Sequence, residues 1–177
     1  MKRAGEPCAK ALRRLTVRAT DEYVVPGGVK TKKWGDTGQP YTDTLVSCIG
    51  VAVIGDDSTT HQRVRVLGHF FGSKMANEPV FETFKREREN AYLDKAKPIT
   101  LVMSVPNQYG APPAGKQWAQ ADIEGGEEAE VDLRGKLEGY LGVCVTKLDR
   151  RMHGLDPQST MSIEGDGRIY RDNGQIA

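Results

Sequence analysis

The stretch Ile49-Gly50-Val51-Ala52-Val53-Ile54 decides the fold of this chain. Its residues are apolar at consecutive positions and rich in β-branched side chains, a pattern typical of a strand that is covered on both faces. Gly55-Asp56-Asp57-Ser58 follows as a turn, and residues 63–70 then alternate like a partner strand. The sequence therefore predicts a buried hairpin around which the other elements are arranged.

The elements on either side of this hairpin are read from apolar periodicity and from Gly, Pro and Asn signals. They are a short strand at 22–25, a loop from Lys30 to Pro40, a helix capped by Asn77 with Pro79 in its first turn and ending near Lys95, a strand at 99–105, a long loop at 106–115, a helix at 127–140, a strand at 143–148 and a hairpin at 161–170. This order predicts a layered α/β or α+β domain, with a central mixed sheet or sandwich flanked by two main helices.

Length and charge limit the domain organisation and the partners. The 177 residues suggest one domain over 20–177, preceded by a basic arm or short helix over 1–19. The net charge of +1 gives no reason to expect a nucleic-acid or membrane-surface partner. No stretch approaches the roughly twenty apolar residues that span a bilayer. We therefore expect a cytoplasmic protein.

Cysteines and histidines are too few and too scattered for a disulfide framework or a metal site. The sequence holds three of each and has no C-x-x-C pair: Cys8, Cys48, Cys144, His61, His69 and His153. We therefore predict no metal site, and we expect the thiols to be reduced.

Cys48 is the candidate nucleophile, because it comes immediately before the buried strand, and a nearby base or cation would raise its thiolate fraction. His69 is the best candidate for that base, since it lies in the partner strand beside the small Gly68. We expect His61 to be exposed in a turn and His153 to be solvated. The alternative is that Cys48 only fills a small apolar space, as free cysteines often do.

Two further positions are candidates for supporting roles. The hydroxyl of Thr42 can fix the ring tautomer of His69, which is the orienting role in a catalytic triad. Tyr109 and Trp118, in and beside the long loop, either line a binding surface or pack against the sheet.

Together these residues resemble a known family. The spacing Thr42-x5-Cys48, with Ser47 before the thiol, followed by Gly68-His69-Phe70, is similar to the CheD family of chemoreceptor glutamine deamidases. That family shares its catalytic arrangement with the cytotoxic necrotizing factor toxins. The resemblance covers roughly residues 20–172 in element order. The chain departs from the family at Val46, where CheD proteins usually have glycine, and in its loops at 30–40 and 106–116.

The resemblance implies acyl transfer without a cofactor. Cys48 would attack the carboxamide of a glutamine side chain on a partner protein, and backbone N–H groups around Ser47 and Cys48 would stabilise the oxyanion. His69, oriented by Thr42, would protonate the departing ammonia and then activate water to release glutamate. The enzyme would act in the cytoplasm of its own cell, or in a host cytosol if it is a delivered toxin or effector.

Three alternatives remain at this point. The scaffold can serve as a non-catalytic binding module, a reading that the glycine missing at Val46 favours. The site can be that of a transglutaminase, if an amine replaces water in the second step. It can also belong to another thiol hydrolase such as a peptidase, although the chain lacks the sequence around the papain nucleophile.

Overall fold

The structure is a computed structural model that describes residues 21–33, 35–43, 45, 48–107, 120–151, 160–171 and 174–176, with the backbone alone at 107, 120–124, 148–151 and 174. Several predictions therefore lie outside the described residues. They concern the basic arm at 1–19, Val46, Ser47, most of the loop with Tyr109 and Trp118, and His153.

The described elements are ten strands and two helices. In chain order they are β1 (Glu22–Tyr23), β2 (Val29–Lys33), β3 (Pro40–Thr42), β4 (Ile49–Asp56), β5 (Arg63–Phe70), α1 (Lys74–Asn90), β6 (Thr100–Asn107), α2 (Gln120–Leu141), β7 (Thr146–Arg151), β8 (Met161–Ile163), β9 (Ile169–Arg171) and β10 (Gly174–Gln175). No described helix is both long enough and apolar enough to cross a membrane.

The strands form two five-stranded sheets. The main sheet has the order β2-β5-β4-β6-β7 and is mixed, because β6 and β7 are parallel whereas the other neighbours are antiparallel. The second sheet has the order β1-β3-β8-β9-β10 and is mixed as well, because β1 and β3 are parallel. The chain is therefore a mixed α+β protein with two helices, which agrees with the predicted layered class.

The buried side chains of the main sheet divide between two apolar clusters. Val51 and Val53 of β4 pack with the apolar faces of α1 and α2, whereas Ala52 and Ile54 pack with residues of the second sheet. The layers are thus helices, main sheet and second sheet. All six residues from Ile49 to Ile54 are buried, which confirms the predicted strand covered on both faces.

The prediction of a loop from Lys30 to Pro40 is wrong, because these residues form most of β2 and the start of β3. In Val29-Lys30-Thr31-Lys32-Lys33, β-branched residues alternate with lysines, so the segment forms an edge strand beside β5 with Val29 buried. Lysines are common on edge strands because they oppose pairing with another chain.

The predicted start of the first helix is also wrong. The helix begins after Ser73, and Asn77 and Pro79 lie inside it. The side chain of Asn77 accepts a hydrogen bond from the Phe71 N–H (2.7 Å) and donates one to the Phe71 carbonyl (2.9 Å). Asn77 therefore satisfies the backbone that leads out of β5 instead of the first helical N–H groups.

Other boundaries differ less. The helix α1 ends at Asn90, before Lys95, and Tyr92 has a positive φ of 54° just beyond it. The strand β4 continues to Asp56, so the turn begins later than predicted. The hairpin of β8 and β9 is confirmed.

Candidate functional site

His69 lies near the end of β5 and is fully buried. Its backbone is held from both sides, because its carbonyl accepts a hydrogen bond from the Gly27 N–H (2.9 Å) and its N–H donates to the Gly28 carbonyl (3.0 Å). Gly27 has a φ of +75°, and a Cβ at this position would lie 2.9 Å from the Phe71 ring. A glycine is therefore required where the chain turns against the histidine strand.

Thr42 ends β3 in the second sheet and is fully buried as well. Its Oγ1 lies 2.6 Å from Nδ1 of His69 and 2.8 Å from the Val24 carbonyl oxygen. A carbonyl can only accept, so the single hydroxyl proton of Thr42 is donated to Val24. The short contact with His69 then requires a proton on Nδ1, which the ring donates to Oγ1.

This arrangement fixes the histidine tautomer. In a neutral imidazole one nitrogen carries the proton and the other carries a lone pair. With Nδ1–H directed to Thr42, the lone pair is on Nε2, which is buried. A histidine in this state accepts a proton at Nε2, as a general base does, and Thr42 keeps the ring in orientation.

Cys48 immediately precedes β4 and lies just beyond the ladder between β4 and β5. Gly50 is directly opposite His69 in this ladder, so both face the second sheet together with Ala52 and Leu67. Cys48 packs against the apolar cluster between the two sheets, on the same side of the main sheet.

The side chains of Cys48 and His69 differ in accessibility. Cys48 is partly exposed, whereas His69 is fully buried. Cys48 is therefore the residue of the pair that solvent reaches. A molecule that approaches from solvent would meet Cys48 first.

Gly50 has no side chain on the face shared by Cys48 and His69. A Cβ there would lie 2.8 Å from Sδ of Met161 and 3.0 Å from Cδ1 of Leu45, so these apolar groups already cover the position. The site is thus a small cluster of polar side chains surrounded by apolar ones. In such surroundings hydrogen bonds and charge interactions are stronger than in water.

The structure brings Thr42 and His69 into contact and places Cys48 beside them, but it keeps the other described candidates away. His61 is exposed with a φ of 57° before β5 begins, so it lies at the opposite end of that strand from His69. Cys144 is exposed after α2.

Sequence reasoning missed two residues near the site. The carbonyl of Val24 accepts the Thr42 proton, a backbone role that no side-chain pattern reveals. Ser104 is fully buried in β6, directly opposite Gly50. The available signal was a single hydroxyl within the otherwise apolar strand from Leu101 to Val105.

The pKa most strongly lowered among the described carboxyls belongs to Asp57, which lies outside this site. The Nζ of Lys33 (2.9 Å) and the N–H groups of Thr60 and Thr59 donate to this carboxylate and hold its pKa well below the usual range. Asp57 follows β4 at the turn of the hairpin, at the end opposite to Cys48. Its bonds organise that turn and its link to β2.

Among the described residues, no three His, Cys, Asp or Glu side chains lie close enough together to hold a metal ion. No protein-family model matches the sequence, and no curated protein is similar enough to count as a relative. The functional argument therefore depends on the side chains themselves.

Proposed function

We propose that this protein is a cysteine-dependent deamidase that converts a glutamine side chain of a partner protein to glutamate. The observation that carries the proposal is the hydrogen-bond chain from His69 Nδ1 through Thr42 Oγ1 to the Val24 carbonyl. These hydrogen bonds leave Nε2 of the buried His69 as the proton acceptor, on the side of the main sheet where Cys48 lies.

The reaction has two halves. His69 takes the proton of Cys48, and the thiolate attacks the carboxamide carbon of the glutamine. The tetrahedral intermediate then collapses, the C–N bond breaks, and ammonia leaves with a proton from His69. In the second half His69 activates a water molecule, which hydrolyses the thioester and releases glutamate.

Two features support amide chemistry at this site over a purely structural thiol. Thr42 holds the imidazole in the tautomer that acts as a base, which a cysteine that only fills space does not need. Cys48 is also partly exposed, so a long side chain can approach it from solvent. The resemblance of the Thr42, Cys48 and His69 motifs to CheD proteins supports the same assignment. A protein that presents an exposed glutamine is the proposed partner.

The test is intact-mass spectrometry of candidate proteins and glutamine-containing peptides after incubation with the chain. Each converted glutamine gains about one dalton, because an amide NH₂ becomes a hydroxyl. The change must disappear with Cys48→Ser and persist with the matched control Cys144→Ser, which alters the exposed cysteine. Full activity of Cys48→Ser would refute the proposal. In the presence of an added amine, a mass gain equal to that of the amine minus the departing ammonia would instead identify a transglutaminase.

A further inference from the structure

We propose that Ser104 is a catalytic residue on the side of Gly50 opposite to His69, where its hydroxyl donates a hydrogen bond to the carboxamide oxygen as that oxygen becomes negative. This inference rests on the proposed function and adds a substrate-binding group to it.

Register places Ser104 in one row with His69. Gly50 of β4 is directly opposite His69 on β5 and directly opposite Ser104 on β6. Directly opposite residues have their side chains on the same face, so the three form a row across three neighbouring strands. Cys48, two residues before Gly50, packs against the apolar cluster on the same side of the main sheet as this row.

Ser104 is fully buried, and within the described part of the chain its Oγ has no hydrogen-bond partner. Thr42 and Asn77 are bonded to Val24 and Phe71, whereas the described buried hydroxyls without a partner are those of Thr31 and Ser104. Of these two, Ser104 is the one in the row with His69. A buried hydroxyl without a partner lowers stability, so natural proteins usually retain one only where it has another role.

The chemistry of the proposed reaction supplies the missing partner. When the Cys48 thiolate forms its S–C bond to the carboxamide carbon, the π electrons of the carbonyl move to oxygen and create an oxyanion. The Ser104 O–H donates a hydrogen bond to this oxygen and transfers no proton. The bond exists only while the negative charge is present, so it stabilises the transition state more than the bound substrate.

Cys48 is the only partly exposed member of the three polar side chains Cys48, His69 and Ser104. A glutamine side chain that enters over its sulfur must displace Sδ of Met161 and Cδ1 of Leu45, which cover Gly50. Its carboxamide then lies between the β5 side, where the proton is transferred, and the β6 side, where the oxygen is bound. His69 and Ser104 thus have complementary functions in the proposed reaction: His69 transfers the proton and Ser104 binds the oxygen.

The experiment compares Ser104→Ala with the wild-type chain and with the control Ser162→Ala, a second buried serine in β8. Ammonia release is measured with reduced casein and with an N-acylated glutaminyl-glycine peptide as probes. We expect Ser104→Ala to lower kcat by about 10²- to 10³-fold, the effect of removing one oxyanion donor, with KM nearly unchanged. The same variant should raise the Tm by about 2–4 °C, because an unbonded buried hydroxyl is removed.

The outcomes separate this inference from the proposed function. If the wild-type chain releases ammonia and Ser104→Ala retains its kcat, the role of Ser104 is refuted while the deamidase proposal stands. If Ser104→Ala and Ser162→Ala lower kcat equally, the effect is structural and the inference also fails. If the wild-type chain releases no ammonia from either probe and changes the mass of no candidate protein, the proposed function and this inference fail together.

Discussion

The hydroxyl of Thr42 lies 2.6 Å from Nδ1 of His69, although 27 positions separate the two residues. The two side chains belong to different sheets, since Thr42 ends β3 and His69 lies in β5. Their contact therefore joins the sheets at the point where Cys48 is located. The state of the imidazole depends on the correct packing of these two layers.

Thr42→Val tests the orienting role of this hydroxyl. The variant keeps the shape of the side chain but removes the acceptor for the Nδ1 proton, so the ring loses its fixed tautomer. We expect kcat for deamidation to fall by about 10²-fold, within the range that general acid–base catalysis contributes. Thr42→Ser, which keeps the hydroxyl, should retain most of the activity. Equal activity of the valine and serine variants would show that the hydroxyl does not orient the base.

Gly50→Ala tests the space between the polar side chains of the site. The added methyl group would approach Sδ of Met161 and Cδ1 of Leu45 at 2.8 Å and 3.0 Å, so these side chains must move. Overpacking of this kind costs about 1–3 kcal/mol of unfolding free energy. Activity should also fall, because the methyl group lies between His69 and Ser104 in the row.

The control for Gly50→Ala is Gly135→Ala in α2, where no atom lies within 4 Å of an added Cβ. In a helix interior, alanine is more stable than glycine by roughly 0.5–1 kcal/mol. Urea denaturation should therefore move in opposite directions for the two variants. A stabilising Gly50→Ala would contradict the described packing.

Much of the fold is predictable because it depends on local pattern. The consecutive apolar residues of β4 and the Gly165-Asp166-Gly167 turn between β8 and β9 are strong signals, and the structure has both elements. The strand β2 was missed because three of its five residues are lysines, which are acceptable only on an edge strand. Edge position is a property of the assembled sheet.

The helix start predicted at Asn77 is wrong for a similar reason, because it too depends on the assembled structure. From the sequence, an Asn two residues before Pro79 favours a helix start. In the structure, the side-chain amide of Asn77 instead accepts a hydrogen bond from the Phe71 N–H and donates one to the Phe71 carbonyl. That backbone needs partners because it leaves β5, a circumstance that the helix sequence does not reveal.

Asn77→Ala should lower the unfolding free energy by about 1–3 kcal/mol, because the N–H and carbonyl of Phe71 lose their partners in a partly buried position. The matched change Thr83→Ala, on the exposed part of the same helix, removes a bond to the Pro79 carbonyl. Its effect should stay within about 0.5 kcal/mol. Chemical denaturation of both variants checks the difference, and similar losses would contradict the junction role of Asn77.

Asp57→Asn tests the buried carboxylate at the hairpin turn. The Lys33 ammonium and two backbone N–H groups hold the Asp57 pKa well below its unfolded value of about 3.9. A lowered folded-state pKa adds stability that is complete above the unfolded pKa and is lost as pH falls toward the folded pKa. The wild-type chain should therefore be more stable than Asp57→Asn at pH 7, and the difference should shrink as pH falls below about 4. Urea denaturation at several pH values measures this, and a constant difference would contradict it.

One contact of the candidate site agrees with the sequence-based expectation, whereas the surrounding geometry depends on strand register. Thr42, Cys48 and His69 were selected from residue type and spacing, and the structure shows Thr42 and His69 in contact. The Val24 carbonyl and the row through Gly50 to Ser104 depend on strand register, which pairs residues far apart in the chain.

The most direct test of the central claim is the alkylation rate of Cys48 by iodoacetamide near pH 6.5, measured by peptide mapping. Cys144 in the same molecule is an exposed internal reference. If His69 activates Cys48, this less exposed thiol reacts faster than Cys144 in the wild-type chain, and the advantage disappears in His69→Gln. A Cys48 that reacts more slowly than Cys144, at a rate that His69→Gln does not change, would contradict the account.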